Sequence, residues 1–399
     1  MSDRHIVITG ASAICAAGNS FEELSGNLPA FSRIDSKKTF EFHSFDVDIP
    51  CYAVAGLDPA AVLGKAGLRT KDWATKLLLC CVESGFGPML TAIPEPQRPG
   101  LCVGTAFGSV QSIGDFLSDS IVNGVNNVNP QAFANTVINA PTSNANIRYV
   151  LRDLSATIST GFNASLDALL YACDHLRCGY LNAVIAGGLE EISYYGLLGL
   201  QRSGALSRSG TMMPMGIDAD GTCAGEGCAL FLLETGNAAK ERGATVLAEI
   251  AGIASAFDPG PVKQNGNLSR DVVRFVIDDA CKQAGIRPSQ IGFVAASADG
   301  NPKIDEAEAS VLAEICPGLP VTAYKRKIGE CYGASTALSL ACALADMQHN
   351  RISGIGADYR AMSGIALVRD TLESRTSTYA LVNAFSCDGQ CGALIIKKR

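Results

Sequence analysis

The sequence predicts a layered α/β protein, and three observations carry that prediction. Short β-type runs alternate with helical patterns along the whole chain, as they do where sheets are covered by helices. Apolar residues make up 47% of the 399 positions and charged residues only 18%, which supplies side chain to bury and too little charge to hold a chain disordered. No Pro/Ser-rich linker or block of like charge divides the chain, so its two halves must pack directly on each other.

Taken in order, the strand-like runs fall at 6–9, 101–104, 156–159, 183–186, 228–233, 293–296, 321–323, 379–384 and 393–397. Helical patterns fall at 72–84, 166–176, 269–284, 305–315 and 336–348. One turn leads into Ala164-Ser165-Leu166-Asp167-Ala168-Leu169, and a later one into Ala334-Ser335-Thr336-Ala337-Leu338. Both helices open on small residues that let a neighbouring backbone come close. They are either the two copies of an internal repeat or two independent buried helices of like composition.

Composition excludes several function classes. Thirty-two Lys+Arg against 39 Asp+Glu give a formal charge of −7, the wrong sign for a nucleic-acid binder. The 15 Cys are an odd number and lie inside apolar segments, where thiols behave as small buried hydrophobes in a reducing compartment. Met1-Ser2-Asp3-Arg4-His5 runs straight into the strand-like Ile6-Val7-Ile8-Thr9 with no secretory signal, and no apolar run reaches the length of about 18 that spans a membrane. A cytoplasmic protein without membrane contact is expected. No metal is expected either, since Cys387 and Cys391 have no His nearby and the chain has only four His.

Five segments in order resemble the β-ketoacyl synthases of the thiolase superfamily, over nearly the whole length. They are Val7-Ile8-Thr9-Gly10 with Gly18-Asn19; Gly104-Thr105-Ala106-Phe107-Gly108; Asn129-Pro130-Gln131-Ala132-Phe133-Ala134-Asn135; Ala186-Gly187-Gly188-Leu189-Glu190; and Asp220-Gly221 followed by Gly225-Glu226-Gly227. The resemblance implies a thiolase fold: two duplicated βαβαβ-type halves in a five-layered αβαβα arrangement, here residues 1–240 and 241–399, with a dimer formed through a first-half strand.

The catalytic positions of that family are departed from in this chain. An active synthase carries a Cys at a sharp strand-to-helix turn, where the helix N-terminus lowers the thiol pKa. Here the turn reads Ile158-Ser159-Thr160-Gly161-Phe162-Asn163-Ala164-Ser165, with Phe162 at the nucleophile position and Ser165 one helical turn too far on. The first His position holds Ser297, its register fixed by Asp305, Glu306 and Glu308. In Lys325-Arg326-Lys327-Ile328-Gly329-Glu330-Cys331-Tyr332-Gly333, the matching Lys325, Gly329 and Gly333 place Glu330 at the second His. Glu330 is read either as an exposed residue beside Arg326 and Lys327 or as a buried structural one, and the basic run as a solvated face. An ionised Glu330 about 4 Å from a developing enolate would repel it by roughly 4 kcal/mol at an effective dielectric near 20, while Ser297 could still donate one hydrogen bond. The family's C-terminal glycine-phenylalanine-glycine-glycine loop is replaced by Ser386-Cys387-Asp388-Gly389, with Cys387 at the gating Phe. His175 is expected to face outward without a role.

What the resemblance implies is a chain length factor: a non-catalytic partner of an active ketosynthase in a heterodimer of type II polyketide (including polyene) or fatty-acid type. No cofactor is bound, and the substrate arrives on the phosphopantetheine arm of an acyl carrier protein that docks mainly on the partner. Residue correspondence puts the tunnel and interface at Phe107, Val110, Ile113, Ala132, Phe133, Thr136 and Cys387. Two alternatives stay open. One is a thiolase-fold acyltransferase or hydrolase that uses Cys387 or Cys331 as nucleophile. The other is a homodimer that sequesters an acyl carrier protein.

Overall fold

The computed structural model describes residues 5–28, 49–263, 266–356 and 358–399, so that 1–4 of the opening segment lie outside the described residues. Among the described residues eleven strands are formed: β1 Ile6–Cys15, β2 Gly100–Gly104, β3 Ser155–Ile158, β4 Ala183–Glu190, β5 Gly227–Thr235, β6 Ala248–Phe257, β7 Phe293–Ala295, β8 Pro320–Thr322, β9 Ala366–Leu367, β10 Tyr379–Phe385 and β11 Gln390–Lys398. They hydrogen-bond in the order β3-β2-β4-β5-β1-β6-β11-β10-β7-β8-β9.

That order contains the duplication. From rim to centre, the first half runs third, second, fourth, fifth, first strand. The second half, leaving aside the short β9, runs β8, β7, β10, β11, β6, which is the same permutation. Directions agree as well. β2 lies parallel to β3 and β4, and β5 antiparallel to β4 and β1. Likewise β7 lies parallel to β8 and β10, and β11 antiparallel to β10 and β6. The halves meet where Ile6, Val7 and Ile8 of β1 pair with Ile250, Glu249 and Ala248 of β6. The two similar small-residue helices are thus repeat copies, Ala164–Cys178 following β3 and Ser335–Gln348 following β8.

Five layers follow from the period-two alternation of strands buried on both faces. In β5, Leu230 and Leu232 enter one outer core with Leu77, Leu78 and Phe86 of the helix Trp73–Ala92, whereas Phe231 and Leu233 enter the middle core. In β10 and β11, Val382 and Leu394 face the middle, while Leu381 and Ile395 face a second outer core with Ile277 and Leu312 of the helices Arg270–Ala284 and Pro302–Ile315. The middle layer is the helix pair Ala164–Cys178 and Ser335–Gln348, and every residue of the latter from Ser335 to Met347 is buried.

The pair can approach because of Gly188 on β4. A Cβ there would stand 2.6 Å from Ser165 Cβ and 2.9 Å from Ala334 Cα. Ser165, fully buried, accepts a hydrogen bond from Ala337 N at 3.2 Å and so ties one central helix to the other. All fifteen cysteines are thiols, and only Cys178 and Cys387 are exposed. Among the described residues no helix is long and apolar enough to cross a membrane.

Candidate functional site

The elbow is built where β3 stops. Gly161, at φ +129°, reverses the chain. Phe162 follows, and Asn163 caps the helix Ala164–Cys178. Asn163 uses its side-chain amide for long-range contacts, donating at 3.0 Å both to Ala384 O and to Gln390 O. The turn is therefore fixed against the end of β10 and the start of β11.

Phe162 does not point into empty space. Its ring lies 4.9 Å from that of Tyr332 and 5.8 Å from that of Phe107, and Phe107 and Tyr332 are 5.2 Å apart edge to face. Each such pair adds about 0.5–1.5 kcal/mol beyond area burial. Tyr332 holds its place at φ +43°, a left-handed conformation that costs a non-glycine residue roughly 1–2 kcal/mol. The space left beside the cluster is about 40 Å³, lined by Phe162, Asp299, Lys325, Glu330, Tyr332 and Cys387 among others. A water needs about 10–15 Å³ and small-molecule sites run to roughly 300–1,000 Å³, so this cavity takes a few waters and no acyl chain.

The polar wall of the cavity is an ionic knot. Lys325 Nζ stands 2.5 Å from Glu330 Oε2, both side chains almost fully buried. Glu330 Oε1 also accepts from Tyr332 N at 2.7 Å and from Ser335 Oγ at 2.5 Å. Burial works against the Lys325 charge, but Glu330, Asp299 and Glu308 outweigh it and hold the ammonium above its ordinary pKa. Asp299, desolvated and facing Glu330 while Lys325 opposes the shift, is pushed up to about 6. Behind the knot, Glu308 accepts from Ser297 N at 3.0 Å and Asn383 Nδ2 at 2.7 Å, and burial pushes it up to about 7.

Several expectations change here. Glu330 is buried, and so is the whole basic run: Lys327 Nζ donates to Leu28 O, while Arg326 donates to Met212 O and stacks over Tyr359 at 5.2 Å. Burial lowers Lys327 to about 8. Pairing with Lys325 cancels most of the repulsion expected of a bare Glu330. A paired carboxylate still accepts only, and cannot donate to a thioester oxygen. Ser297 does not reach the cavity, because its hydroxyl donates to Phe385 O at 2.9 Å and accepts from Phe385 N at 2.7 Å. Cys331 is buried, its thiol pushed well up by desolvation and then by Cys15 and Glu330. Cys387 is at the surface, yet desolvation by its surroundings and the charges of Asp299, Asp388 and Glu330 push its thiol up to about 12. Neither is a thiolate near neutral pH.

The structure thus brings Phe107, Phe162, Lys325, Glu330 and Cys387 together and leaves Ser297 behind them. Val110, Ile113, Ala132, Phe133 and Thr136 lie elsewhere, on the helix Val110–Asn123, in the turn Ala132–Asn135 and directly after that turn. That helix buries no residue, and Ile113, Leu117, Ile121, Val122 and Phe133 are exposed. Among the described residues β3 is the outermost strand of the first half. A cavity of about 500 Å³ opens beside the helix Val110–Asn123, lined by Arg69, Asp72, Ser112, Phe116 and Ala132 among others.

Glu190 and Tyr332 were not singled out by sequence reasoning. Glu190 closes the site from β4, accepting from Thr105 Oγ1, Ala106 N, Phe107 N and Gly333 N at 2.7–3.1 Å, and burial pushes it up to about 7. The sequence marks it as the first of two acids, Glu190-Glu191, that end the apolar run Ala186-Gly187-Gly188-Leu189.

Family models for the β-ketoacyl synthase N-terminal domain and the β-ketoacyl synthase C-terminal domain match residues 67–239 and 247–355. The chain belongs to the β-ketoacyl synthase family. It is 30% identical to the tetracenomycin polyketide synthase ketoacyl synthase beta subunit of Streptomyces glaucescens, over 98% of both chains. It is 25% identical to 3-oxoacyl-(acyl-carrier-protein) synthase 2 of Vibrio cholerae over the full length of each. Among solved structures, the ishigamide ketosynthase/chain length factor superposes with a TM-score of 0.87 at 20% identity, covering 100% of both chains. AntDE:AntF, a type II polyketide synthase acyl-carrier protein in complex with its ketosynthase, gives 0.84 at 21%. These two likenesses establish the thiolase fold for this β-ketoacyl synthase relative.

Proposed function

We propose that this β-ketoacyl synthase homologue is a non-catalytic, chain-length-factor-like subunit that pairs with an active ketosynthase. One observation carries the reading: at the elbow, where carbon–carbon bond formation needs a thiolate, the Phe162 ring is packed between Tyr332 and Phe107. The 30% identity to a ketoacyl synthase beta subunit supports it. So does the exposed apolar helix Val110–Asn123, a face suited to a second subunit. In this reading residues 1–240 supply the interface and degenerate elbow, and 241–399 close the site with Lys325 and Glu330. The phosphopantetheine arm of the acyl carrier protein enters the partner, since the 40 Å³ cavity here cannot admit it, and the assembly works in the cytoplasm.

The growing chain then meets this subunit at the shared face, where Val110, Ile113, Ala132, Phe133 and Thr136 set how far it extends, and Phe107, in the aromatic triangle at the elbow, is the remaining tunnel candidate. The expectation is steric, since each further methylene gains about 0.8 kcal/mol where room exists and overpacking costs more than that where it does not.

The test is co-expression with an active ketosynthase, followed by sizing and a malonyl-carrier condensation assay. The pair should co-purify and condense while this chain alone stays inert. A rate for this chain alone comparable to an intact synthase overturns the reading. In the reconstituted pair, Phe107→Ala or Ile113→Ala should lengthen the product by mass spectrometry, and an unchanged distribution removes that residue from the tunnel. The competing reading, acyl transfer through Cys387 or Cys331, predicts selective acylation of one thiol by an acyl-thioester electrophile.

A further inference from the structure

The elbow is clasped from outside as well as plugged from inside. Its leading amides are both taken by side chains of the C-terminal loop and the start of β11: Phe162 N donates to Asp388 Oδ2 and Asn163 N to Gln390 Oε1, each at 2.8 Å. Asp388 is itself held, its Oδ1 accepting from Gln390 N at 3.1 Å and from the Ser386 hydroxyl. Gln390 turns back across the elbow and donates to Thr160 O at 2.8 Å and Asp167 Oδ2 at 3.2 Å. Gly161 makes room for this, because a Cβ there would stand 2.3 Å from Asp388 Oδ2.

Amides that lead into a helix are where a developing oxyanion is best stabilised, since the N–H donors and the helix dipole aim at the same point. In this chain that point is filled by a carboxylate of its own. Asp388 stands third in Ser386-Cys387-Asp388-Gly389, where the family's loop has a glycine and so no side chain to insert.

We infer that Asp388 is an autoinhibitory residue, an internal stand-in for the thioester oxygen that holds the loop shut over the elbow. It forms a lock separate from the missing thiol, so that restoring a nucleophile at position 162 leaves the elbow closed. The inference deepens the non-catalytic reading and rests on it.

The test uses an elbow thiol as probe in a background without the exposed cysteines (Cys178→Ser, Cys387→Ser). Phe162→Cys is compared with Phe162→Cys/Asp388→Asn, which removes the charge but keeps an acceptor, and with Phe162→Cys/Asp388→Gly, which opens the clasp. Iodoacetamide alkylation is followed against pH. Next to the carboxylate the thiol should react slowly. Either second substitution should speed alkylation at pH 7.5 at least tenfold and lower the apparent thiol pKa by about one unit, the tenfold gain in thiolate that such a shift represents. Equal rates with and without Asp388 overturn the inference.

Should the Phe162 variants not fold, Asp388→Gly in the otherwise natural chain is read by hydrogen exchange over 159–164. The Phe162 and Asn163 amides should exchange at least tenfold faster, and unchanged protection overturns the inference. The natural chain's own condensation rate is measured alongside. An active chain overturns the non-catalytic reading and the inference with it, whereas an inert chain with equal alkylation rates overturns the inference alone.

Discussion

Phe162 shows how one substitution changes both chemistry and packing. A cysteine at the elbow would leave Tyr332 and Phe107 facing a hole, so the aromatic triangle depends on the Phe162 ring. Phe162→Ala should therefore cost stability, about 1.5–3 kcal/mol for a half-buried ring, measured by urea denaturation. Lys325→Met should cost about 3–5 kcal/mol because it strands the Glu330 carboxylate. Lys325→Met/Glu330→Gln should recover most of that loss, since Gln still accepts from Tyr332 N and Ser335. The buried acids set a pH dependence. Glu190 and Glu308 are raised from an ordinary 4.5 to about 7, so the folded state binds protons that the unfolded chain has released. Stability is greatest below about pH 4.5 for these two groups and falls as pH rises toward 7, by an order of 3 kcal/mol each. Urea midpoints at pH 5 and 7.5 should differ accordingly, and Glu190→Gln should flatten the slope. The strand-to-helix turn assigns Phe162 its position in the sequence, Asp305 sets the register of Ser297, and Lys325 and Gly329 set that of Glu330. Their surroundings could not be read there. Lys325-Arg326-Lys327 looks like a solvated face, and only the fold brings Leu28 O and Met212 O to its members.

Element boundaries moved where glycine serves packing. The helical pattern at 72–84 runs on to Ala92, through Gly85, Gly87 and Pro88. A Cβ at Gly85 would stand 2.4 Å from Ser12 Cβ, so the residue that reads as a helix breaker is where helix and β1 touch. β6 was not read as a strand at all, because Ala-Glu-Ile-Ala-Gly-Ile-Ala-Ser-Ala-Phe lacks the β-branched density of its neighbours. It forms because β1 and β11 flank it on both sides. Gly188 sets the spacing of the central helix pair. Gly188→Ala should lower stability by about 1–3 kcal/mol through overpacking against Ser165 and the Ala334 backbone. Adding Ser165→Gly should restore only part of it, since the backbone contact remains. Denaturant midpoints for the three proteins decide this.

At the scale of the molecule the repeat hinted at by two similar helices proves to be a duplicated strand order with duplicated directions. What no repeat could announce is the asymmetry of the rims. Among the described residues the first half ends on β3, which pairs only with β2, whereas the second half adds β9 beyond β8. Leu117→Asp with Ile121→Lys on the helix Val110–Asn123 should leave the urea midpoint within about 0.5 kcal/mol of the natural chain, since neither side chain is buried. The same pair should abolish co-purification with an active ketosynthase. Thiols are distributed through all three cores: Cys80, Cys81 and Cys228 in one outer core, Cys102, Cys173 and Cys342 in the middle, Cys281, Cys316 and Cys391 in the other. The chain accordingly carries its own stratigraphy. Under mild denaturant, the sequence in which these sulfurs become modifiable dates the opening of each layer, and reports whether the two copies of the ancestral half come apart together or one after the other.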